Sequence, residues 1–200
     1  MTDIEHYYVE NPKVKYSEYF IRDSVKGFDL IFKSASGVFS AREIDKASKL
    51  LIEKADLPKE GKILDLGCGY GMIGIVAAKA CPDCLVILVD INKRAVKLAT
   101  DNLKQNKIRN AETRQGNIYE SVKDEKFDAI LLNPPIAAGR KIVMQMITEA
   151  PNYLNKNGSL QIVARRNKGG DFLFKEMDKL FSKTEVLAKS GGFWVYKGVK

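Results

Sequence analysis

The sequence predicts an α/β protein in which helices cover both faces of a mostly parallel β-sheet. The first observation is the stretch from Ile63 to Gly74, where a short apolar run is followed by alternating glycines and then by residues with helical spacing. The second is a regular alternation of apolar runs and amphipathic segments from there to residue 181. The third is a pair of closing runs around Gly191 and Gly192, which predicts a terminal hairpin and an antiparallel last strand.

Each element is expected at a definite place along one domain, with residues 1–40 as a short N-terminal β extension and residues 41–200 as the α/β core. An alternating segment, 16–25, and an apolar segment, 28–32, predict a hairpin that turns at Lys26-Gly27. Ser40 and Glu43 match a capping box, which predicts a helix over 41–55. Core strands are expected at 63–66, 85–90, 111–115, 127–132, 159–164, 184–189 and 193–197. Core helices are expected at 72–80, 93–105, 141–154 and 172–181, with a turn at 155–158.

Composition narrows the class of protein. The chain is 45% hydrophobic and 29% charged, which is globular rather than disordered. A net charge of +8 favours polyanionic partners. No apolar run approaches the roughly 18 residues of a membrane helix, and residues 1–6 lack the regions of a signal peptide. We therefore expect a cytoplasmic protein with no membrane partner, while its oligomeric state stays open.

The cysteines and the single histidine suggest no metal site. Cys81 and Cys84 form a C-x-x-C pair, but zinc would want a second ligand pair, and the remaining Cys68 lies inside the glycine loop. A thioredoxin-type pair would follow a strand rather than precede one. We expect ordinary thiols, although the sequence does not decide whether the two pair, and we assign no role to His6.

The glycine loop indicates a nucleotide-like ligand. Gly69 to Gly74 satisfies the dinucleotide pattern G-x-G-x-x-G, and Asp90 follows at the distance of a ribose-binding acid. Asp65, just before the first glycine, would repel a pyrophosphate but would tolerate an ammonium or sulfonium. The helix after the loop would present its free N–H groups to the ligand.

A second motif, Asn133-Pro134-Pro135-Ile136, follows the strand expected at 127–132. Two prolines fix the main chain and supply no N–H donors. The Asn133 amide oxygen and the next carbonyl then form two adjacent acceptors, which suit a planar NH2 group and aim its lone pair at a methyl group. Because ligands bind at the carboxyl ends of parallel strands, this motif and the glycine loop are expected at one site.

The two motifs together resemble the S-adenosyl-L-methionine (SAM)-dependent amino-methyltransferases. The resemblance is more specific to the small-domain family of 16S rRNA guanine-N2 methyltransferases and their single-domain archaeal relatives, because the sequence also contains Gly37-Val38-Phe39-Ser40 and Asp45. The resemblance runs from about Tyr7 to Lys197. It implies a Rossmann-like class I methyltransferase fold with a seven-stranded sheet, SAM as methyl donor, and guanine N2 in ribosomal or transfer RNA as acceptor.

The resemblance also implies the site residues. The implied cofactor contacts are Asp65, Gly67, Cys68, Gly69, Tyr70, Gly71, Asp90, Ile91, Asn117, Ile118 and Asn133. The implied catalytic residues, at the target amine, are Asn133, Pro134, Pro135 and Ile136. This sequence departs from related patterns at two of these positions. Ile136 stands where adenine and glutamine methyltransferases usually have a stacking aromatic residue, and Asn117 stands where related enzymes often have aspartate.

Basic residues near the two motifs are expected to hold RNA phosphates. Arg140 and Lys141 follow the Asn-Pro-Pro motif, and Arg165, Arg166 and Lys168 follow the strand expected at 159–164. The predicted partner is therefore an RNA substrate.

Three alternatives stay open. A protein glutamine N5-methyltransferase or an adenine N6-methyltransferase would use the same Asn-Pro-Pro acceptors. A nicotinamide oxidoreductase would explain the glycine pattern but neither Asp65 nor Asn133. A non-catalytic RNA-binding module would explain the charge but not the two motifs.

Overall fold

A computed structural model describes residues 8–200 and places them in two sheets and five helices. A hairpin of β1 (Glu18–Val25) and β2 (Phe28–Ala35) precedes the core. The core strands are β3 (Gly61–Leu66), β4 (Cys84–Asp90), β5 (Ala111–Gln115), β6 (Phe127–Leu132), β7 (Leu154–Arg165), β8 (Lys183–Ser190) and β9 (Phe193–Val199). The helices are α1 (Lys46–Lys54), α2 (Met72–Ala80), α3 (Lys93–Gln105), α4 (Arg140–Tyr153) and α5 (Gly170–Leu180).

The seven core strands form one sheet in the order β5-β4-β3-β6-β7-β9-β8. Strands β3 to β7 run parallel, and β9 is antiparallel to both of its neighbours, as the sequence predicts. The chain moves outward from β3 to β5, returns to β6 beside β3, and then moves the other way. The strand order therefore reverses between β3 and β6, and a crevice opens at the carboxyl ends of such a pair.

The core lies in two layers, one on each face of the sheet. Ile63 packs in the layer with α1, α2 and α3, whereas the next residue, Leu64, packs in the layer with α4 and α5. Both side chains are fully buried. Full burial of such a side chain stabilises the fold by about 1.5–3 kcal/mol, which explains why β3 has apolar residues pointing to both faces of the sheet.

The N-terminal hairpin is fixed to the core through α3. The buried Asn102 side chain accepts from Lys33 N at 2.7 Å and donates to Lys33 O and Tyr70 O, both at 2.8 Å. The Arg94 guanidinium donates to Ser36 O at 2.5 Å and to two further carbonyls, of Pro12 and Val14, at 3.3–3.4 Å. These side chains connect the extension to the helix that follows β4.

Helix α1 begins later than the capping box predicts, so that prediction is wrong. Its N-cap is Asp45, whose carboxylate accepts from Ser48 N at 2.7 Å. Ser40 instead lies in the left-handed region, with φ of 50°, and its hydroxyl donates to Glu43 O. A side chain that caps a helix start normally does so from extended backbone, as Asp45 does, and Ser40 lies outside that region.

Two further expectations are corrected. The turn expected at 155–158 lies within β7, where a register irregularity opposite β6 accommodates the extra residues. Cys81 and Cys84 are joined in a disulfide rather than remaining ordinary thiols. His6 lies outside the described residues. None of the helices in residues 8–200 has the length and apolar character needed to cross a membrane.

Candidate active site

A cavity lies at the carboxyl ends of β3, β4 and β6, where the strand order reverses, and its space together with the open solvent at its mouth amounts to about 880 Å³. Its lining comes from the glycine loop, the strand ends, the start of α1 and the segment after β2. The residues that carry the argument are Tyr8, Phe39, Ser40, Asp45, Ser48, Gly67, Cys68, Gly69, Tyr70, Asp90, Ile91, Gly116, Ile118, Asn133, Pro134 and Pro135. Most of the residues that the two motifs singled out therefore meet at one cavity.

The glycine loop has the conformation that its sequence requires. Gly67 and Gly69 both have positive φ, at 76° and 57°, and a Cβ added at either would meet nothing within 4 Å. The positive φ values therefore favour glycine at both positions. Because glycine has no side chain, a ligand is able to approach the main chain closely. Gly74 is required for a different reason, because a Cβ there would lie 2.5 Å from Leu88 and would separate α2 from the sheet.

Asp90 joins the glycine loop to the end of β4. One carboxylate oxygen accepts from Gly69 N at 2.8 Å, and the other accepts from Asn92 N at 2.9 Å. Burial raises the pKa of Asp90 to about 6, and the backbone donors limit that rise. Ile91 N also donates to this carboxylate, which can accept about four hydrogen bonds, so capacity remains for a hydroxyl group from the cavity.

Asp65 lies beneath the loop rather than on the cavity wall. Its side chain is 1% exposed and accepts from Gly74 N at 2.8 Å. Burial is the main cause that raises the pKa of Asp65 to about 7; the hydrogen bond from Gly74 N limits the rise, and the charge of Asp90 adds to it. Gly71 and Asn117, two other predicted cofactor contacts, also lie off the lining, although Asn117 accepts from Tyr8, which does line the cavity, at 3.5 Å.

The orientation of the Asn133 amide is set by the start of α1. Its NH2 group donates to Asp45 Oδ2 at 3.0 Å and to Ser48 Oγ at 2.8 Å. A carboxylate only accepts, so the nitrogen must face Asp45, and the amide oxygen is left on the opposite side of the group. Asn133 lines the cavity together with Pro134 and Pro135, whereas Ile136 is 56% exposed and does not.

The predicted RNA-binding residues lie outside the cavity but at the same edge of the sheet. Arg165 is the last residue of β7, the neighbour of β6, and Arg166 directly follows it. Several cations in this region lie over aromatic rings. These pairs are Arg140 over Phe172 (4.1 Å), Arg165 over Phe193 (4.4 Å), Arg166 over Trp194 (4.7 Å) and Lys189 over Trp194 (4.1 Å). Lys141 and Lys168 are exposed nearby.

Sequence reasoning missed several residues of this site. Tyr8 carried no motif, yet it lines the cavity, and burial raises its pKa to about 12. Phe39 and Asp45 belonged to the family resemblance, but no local pattern indicated that they line one cavity with Asn133. These contacts depend on how the N-terminal extension packs against the core.

Comparison with known proteins identifies the class and then the family. The fold and the cavity define a Rossmann-like methyltransferase, a class whose methyl donor is SAM. Residues 29–197 match the family described as methyltransferase small domain, and the chain belongs to that family.

Two relatives illustrate the extent of the similarity. A Bacillus subtilis protein, YbxB, is 37% identical over 198 residues, which cover 98% of each chain. Ribosomal RNA small subunit methyltransferase C of Photorhabdus laumondii is 36% identical over 176 residues, which cover 86% of this chain and 51% of that protein. This chain therefore spans about half the length of the rRNA methyltransferases that it matches.

Solved structures share the fold. A T. thermophilus 16S rRNA N2 methyltransferase in complex with AdoMet and guanosine aligns with a TM-score of 0.78 at 22% identity, covering 94% of this chain and 52% of that one. A ribosomal protein L11 methylase from Lactobacillus delbrueckii aligns with a TM-score of 0.62 at 20% identity, covering 77% and 76%. One of these proteins is named for an RNA substrate and the other for a protein, so the fold alone does not decide the acceptor.

Proposed function

We propose that this chain transfers a methyl group from SAM to an exocyclic amine in RNA, specifically to N2 of a guanine in ribosomal or transfer RNA. The observation that carries the proposal is the fixed amide of Asn133, whose nitrogen is held by Asp45 and Ser48 and whose oxygen is left for an acceptor.

The charges on the cavity wall suit SAM as the cofactor. Asp45 and Asp90 are the charged side chains of the lining in residues 8–200, and no lysine or arginine joins them there. Such a wall favours a sulfonium and an ammonium and disfavours the pyrophosphate of a nicotinamide cofactor. SAM would supply an electrophilic methyl group, and Asp90 would hold its ribose, with Ile91 and Ile118 beside its adenine.

The acceptor amine would bind at the Asn-Pro-Pro end of the cavity. Asn133 Oδ1 would accept one amine hydrogen, and the Pro134 carbonyl would accept the other. That carbonyl already accepts from Ile136 N at 2.8 Å, but it retains a second lone pair. With both hydrogens fixed, the nitrogen lone pair would point along the line of methyl transfer. The chain would act by orienting the amine and by excluding water, and no covalent intermediate is needed.

The arginines at the sheet edge support RNA as the acceptor molecule. The rings beneath Arg165 and Arg166, together with the Asp171 carboxylate 3.3 Å from Arg166, restrict both guanidinium groups at the carboxyl edge of the sheet. A restricted guanidinium loses less conformational entropy when it binds a phosphate. The net charge of +8 also favours binding to the phosphates of an RNA.

Labelled SAM tests the proposal directly. The protein is incubated with labelled SAM and with total RNA, DNA or protein, and the label in each fraction is measured. We expect label in RNA, at N2 of guanine. Label confined to protein would favour a glutamine methyltransferase, and label in no fraction would refute the proposed activity.

Asn133→Ala should lower turnover by roughly a hundredfold or more, because misplacement of the amine by about 1 Å is enough for such a loss. The affinity for SAM should change little, since Asn133 is assigned to the acceptor. Asn133→Asp should be impaired as well, because its carboxylate would face Asp45. Single-turnover methyl transfer at saturating SAM measures the effect, and Asn152→Ala, an exposed asparagine on α4, serves as the control. Wild-type turnover by Asn133→Ala would remove the main support for an amine acceptor.

A further inference from the structure

The Asn-Pro-Pro loop lacks a side chain on which a flat acceptor could lie. The residue after the prolines is Ile136, which is aliphatic, 56% exposed and absent from the cavity lining. A base removed from its stack needs a replacement surface, and aromatic rings usually provide it. If the acceptor is a base, that surface must come from elsewhere in the lining.

Three aromatic side chains line the cavity in the described part of the chain, namely Tyr8, Phe39 and Tyr70. Tyr70 is 5% exposed and packs against Phe32, with ring centroids 5.6 Å apart. Tyr8 contacts Asn117, beyond β5 at the cofactor end of the cavity. Phe39 is 40% exposed and lies beside Ser40, in the segment that leads to Asp45.

We propose that the acceptor base stacks on Phe39, which thereby takes the place of the aromatic residue missing after Asn-Pro-Pro. This inference rests on the proposed function and specifies its acceptor. A phenyl ring of this exposure suits the broad face of a purine, whereas the side-chain amide of a glutamine offers little area for stacking. Phe39 would act as a positioning residue that holds the base plane while Asn133 fixes the amine.

The segment that carries Phe39 is held rigidly in place. Ser36 O accepts from Arg94 at 2.5 Å, and Gly37 O accepts from Asn92 at 2.8 Å. Val38, next to Phe39, is buried in the core at 6% exposure. The main chain is therefore anchored just before the exposed ring, and a base that stacks there does not have to order the loop.

The same anchors connect the stacking surface to the cofactor site. Asn92 and Arg94 belong to the turn and first residues of α3 that follow Asp90, and Asp90 holds the glycine loop at Gly69. The segment from Asp90 to Arg94 thus contacts both ends of the cavity, and it would fix the distance between an acceptor base and a methyl donor.

The test compares Phe39→Leu, Phe39→Trp and the matched control Phe20→Leu, in which a phenylalanine 65% exposed on β1, outside the cavity lining, is changed in the same way. The RNA fraction that wild type labels is the substrate, and kcat, KM for RNA and Kd for SAM are measured separately. We expect Phe39→Leu to lower kcat/KM for RNA by about 5- to 100-fold, the range that loss of one base stack gives. Phe39→Trp should retain most activity, and Kd for SAM should stay unchanged in all three variants.

Each of the other possible results contradicts either the stacking role of Phe39 or the proposed function. If wild type labels RNA and Phe39→Leu matches it, the inference fails while the proposed function stands. If Phe39→Trp is as impaired as Phe39→Leu, or if Phe39→Leu loses SAM affinity in parallel with turnover, the role is general packing and the inference fails. If wild type labels no RNA, the proposed function fails and the inference fails with it.

Discussion

Asp90, at the end of β4, connects the glycine loop to the sheet. Its two oxygens hold Gly69 N and Asn92 N, so the carboxylate fixes the loop on one side and the start of α3 on the other. Sequence alone indicated Asp90, because an acidic residue at the end of the second core strand is a local pattern. Its backbone partners are set by the loop conformation and were visible only in the structure.

Asp90→Ala should weaken SAM binding by roughly 10- to 150-fold, because a charged acceptor contributes about 1.5–3 kcal/mol to such hydrogen bonds. Titration calorimetry with SAM measures the change. Asp83→Ala, an exposed aspartate before β4, provides the control. Unchanged affinity in Asp90→Ala would mean that the ribose lies elsewhere.

Asp65 should make the stability of the cofactor-free protein depend on pH. Its carboxyl ionises near pH 4 in the unfolded chain, whereas burial raises its folded pKa to about 7. Between these values the folded state binds the additional proton, so the free energy of unfolding falls as pH rises from about 4 to 7. Asp65→Asn removes this titration and keeps an oxygen for Gly74 N.

Urea unfolding of wild type and Asp65→Asn at pH 5 and pH 8 measures this effect. The variant should gain stability relative to wild type on going to pH 8, by on the order of 1–3 kcal/mol. A difference between the two proteins that is the same at both pH values would contradict the assignment.

Among the elements, α1 has a residue at its start that both caps the helix and contacts Asn133. Asp45 is the N-cap of the helix and also accepts from the Asn133 amide. A helix start is therefore used to orient a residue that lies 88 positions later in the chain. The contact joins the N-terminal part of the chain to the carboxyl end of β6.

Asp45→Ala should reduce the free energy of unfolding by about 1 kcal/mol through loss of the cap. It should also slow methyl transfer on the order of 10- to 100-fold, because the Asn133 amide loses its charged partner. Asp45→Ser separates the two effects, since serine caps helices well but is too short to reach Asn133. Thermal unfolding and single-turnover rates give the two readouts, and a serine variant with wild-type turnover would show that Asp45 only caps α1.

Elements from the glycine loop to β6 were predictable because their signals are local. The helices at 72–80 and 93–105 and the strands at 111–115 and 127–132 have the expected bounds. The start of α1 was missed because two competing caps lie five residues apart, and only the conformation of Ser40 decides between them. The site was predictable to the same extent: residues within a local motif were found, whereas the contacts of Arg94, Asn102 and Asn133 join residues 32 to 88 positions apart, which no short stretch of sequence shows.

At the scale of the whole molecule, the positive charge is the property that would hold an RNA substrate near the cavity under the proposed function. Arg165→Ala combined with Arg166→Ala should weaken RNA binding and lower its salt dependence, because each lost phosphate contact reduces the slope of log affinity against log salt by about 0.7–0.9. Filter binding at several salt concentrations, on the RNA that accepts label, measures the slope.

The control for that experiment removes the same charge at the opposite edge of the sheet. Lys104 lies near the end of α3 and Arg109 precedes β5, and both are exposed. Alanine at these two positions should leave the salt slope nearly unchanged, and equal slopes for the two double variants would show that RNA binding does not involve Arg165 and Arg166.

Arg94 donates hydrogen bonds to the carbonyls of Pro12, Val14 and Ser36, and this attachment determines which substitutions the N-terminal segment tolerates. The arginine holds backbone atoms, which every residue type supplies, but Gly37 within the held segment must stay glycine, because its φ is 80° and a Cβ there would lie 2.8–2.9 Å from Val14, Arg94 and Pro12. Under the proposed function, this segment presents Phe39 to the acceptor, whereas Asp90 and the glycine loop lie on the donor side. Substitution of the exposed Phe39 would then change the acceptor surface while the attachment through Arg94 stays in place.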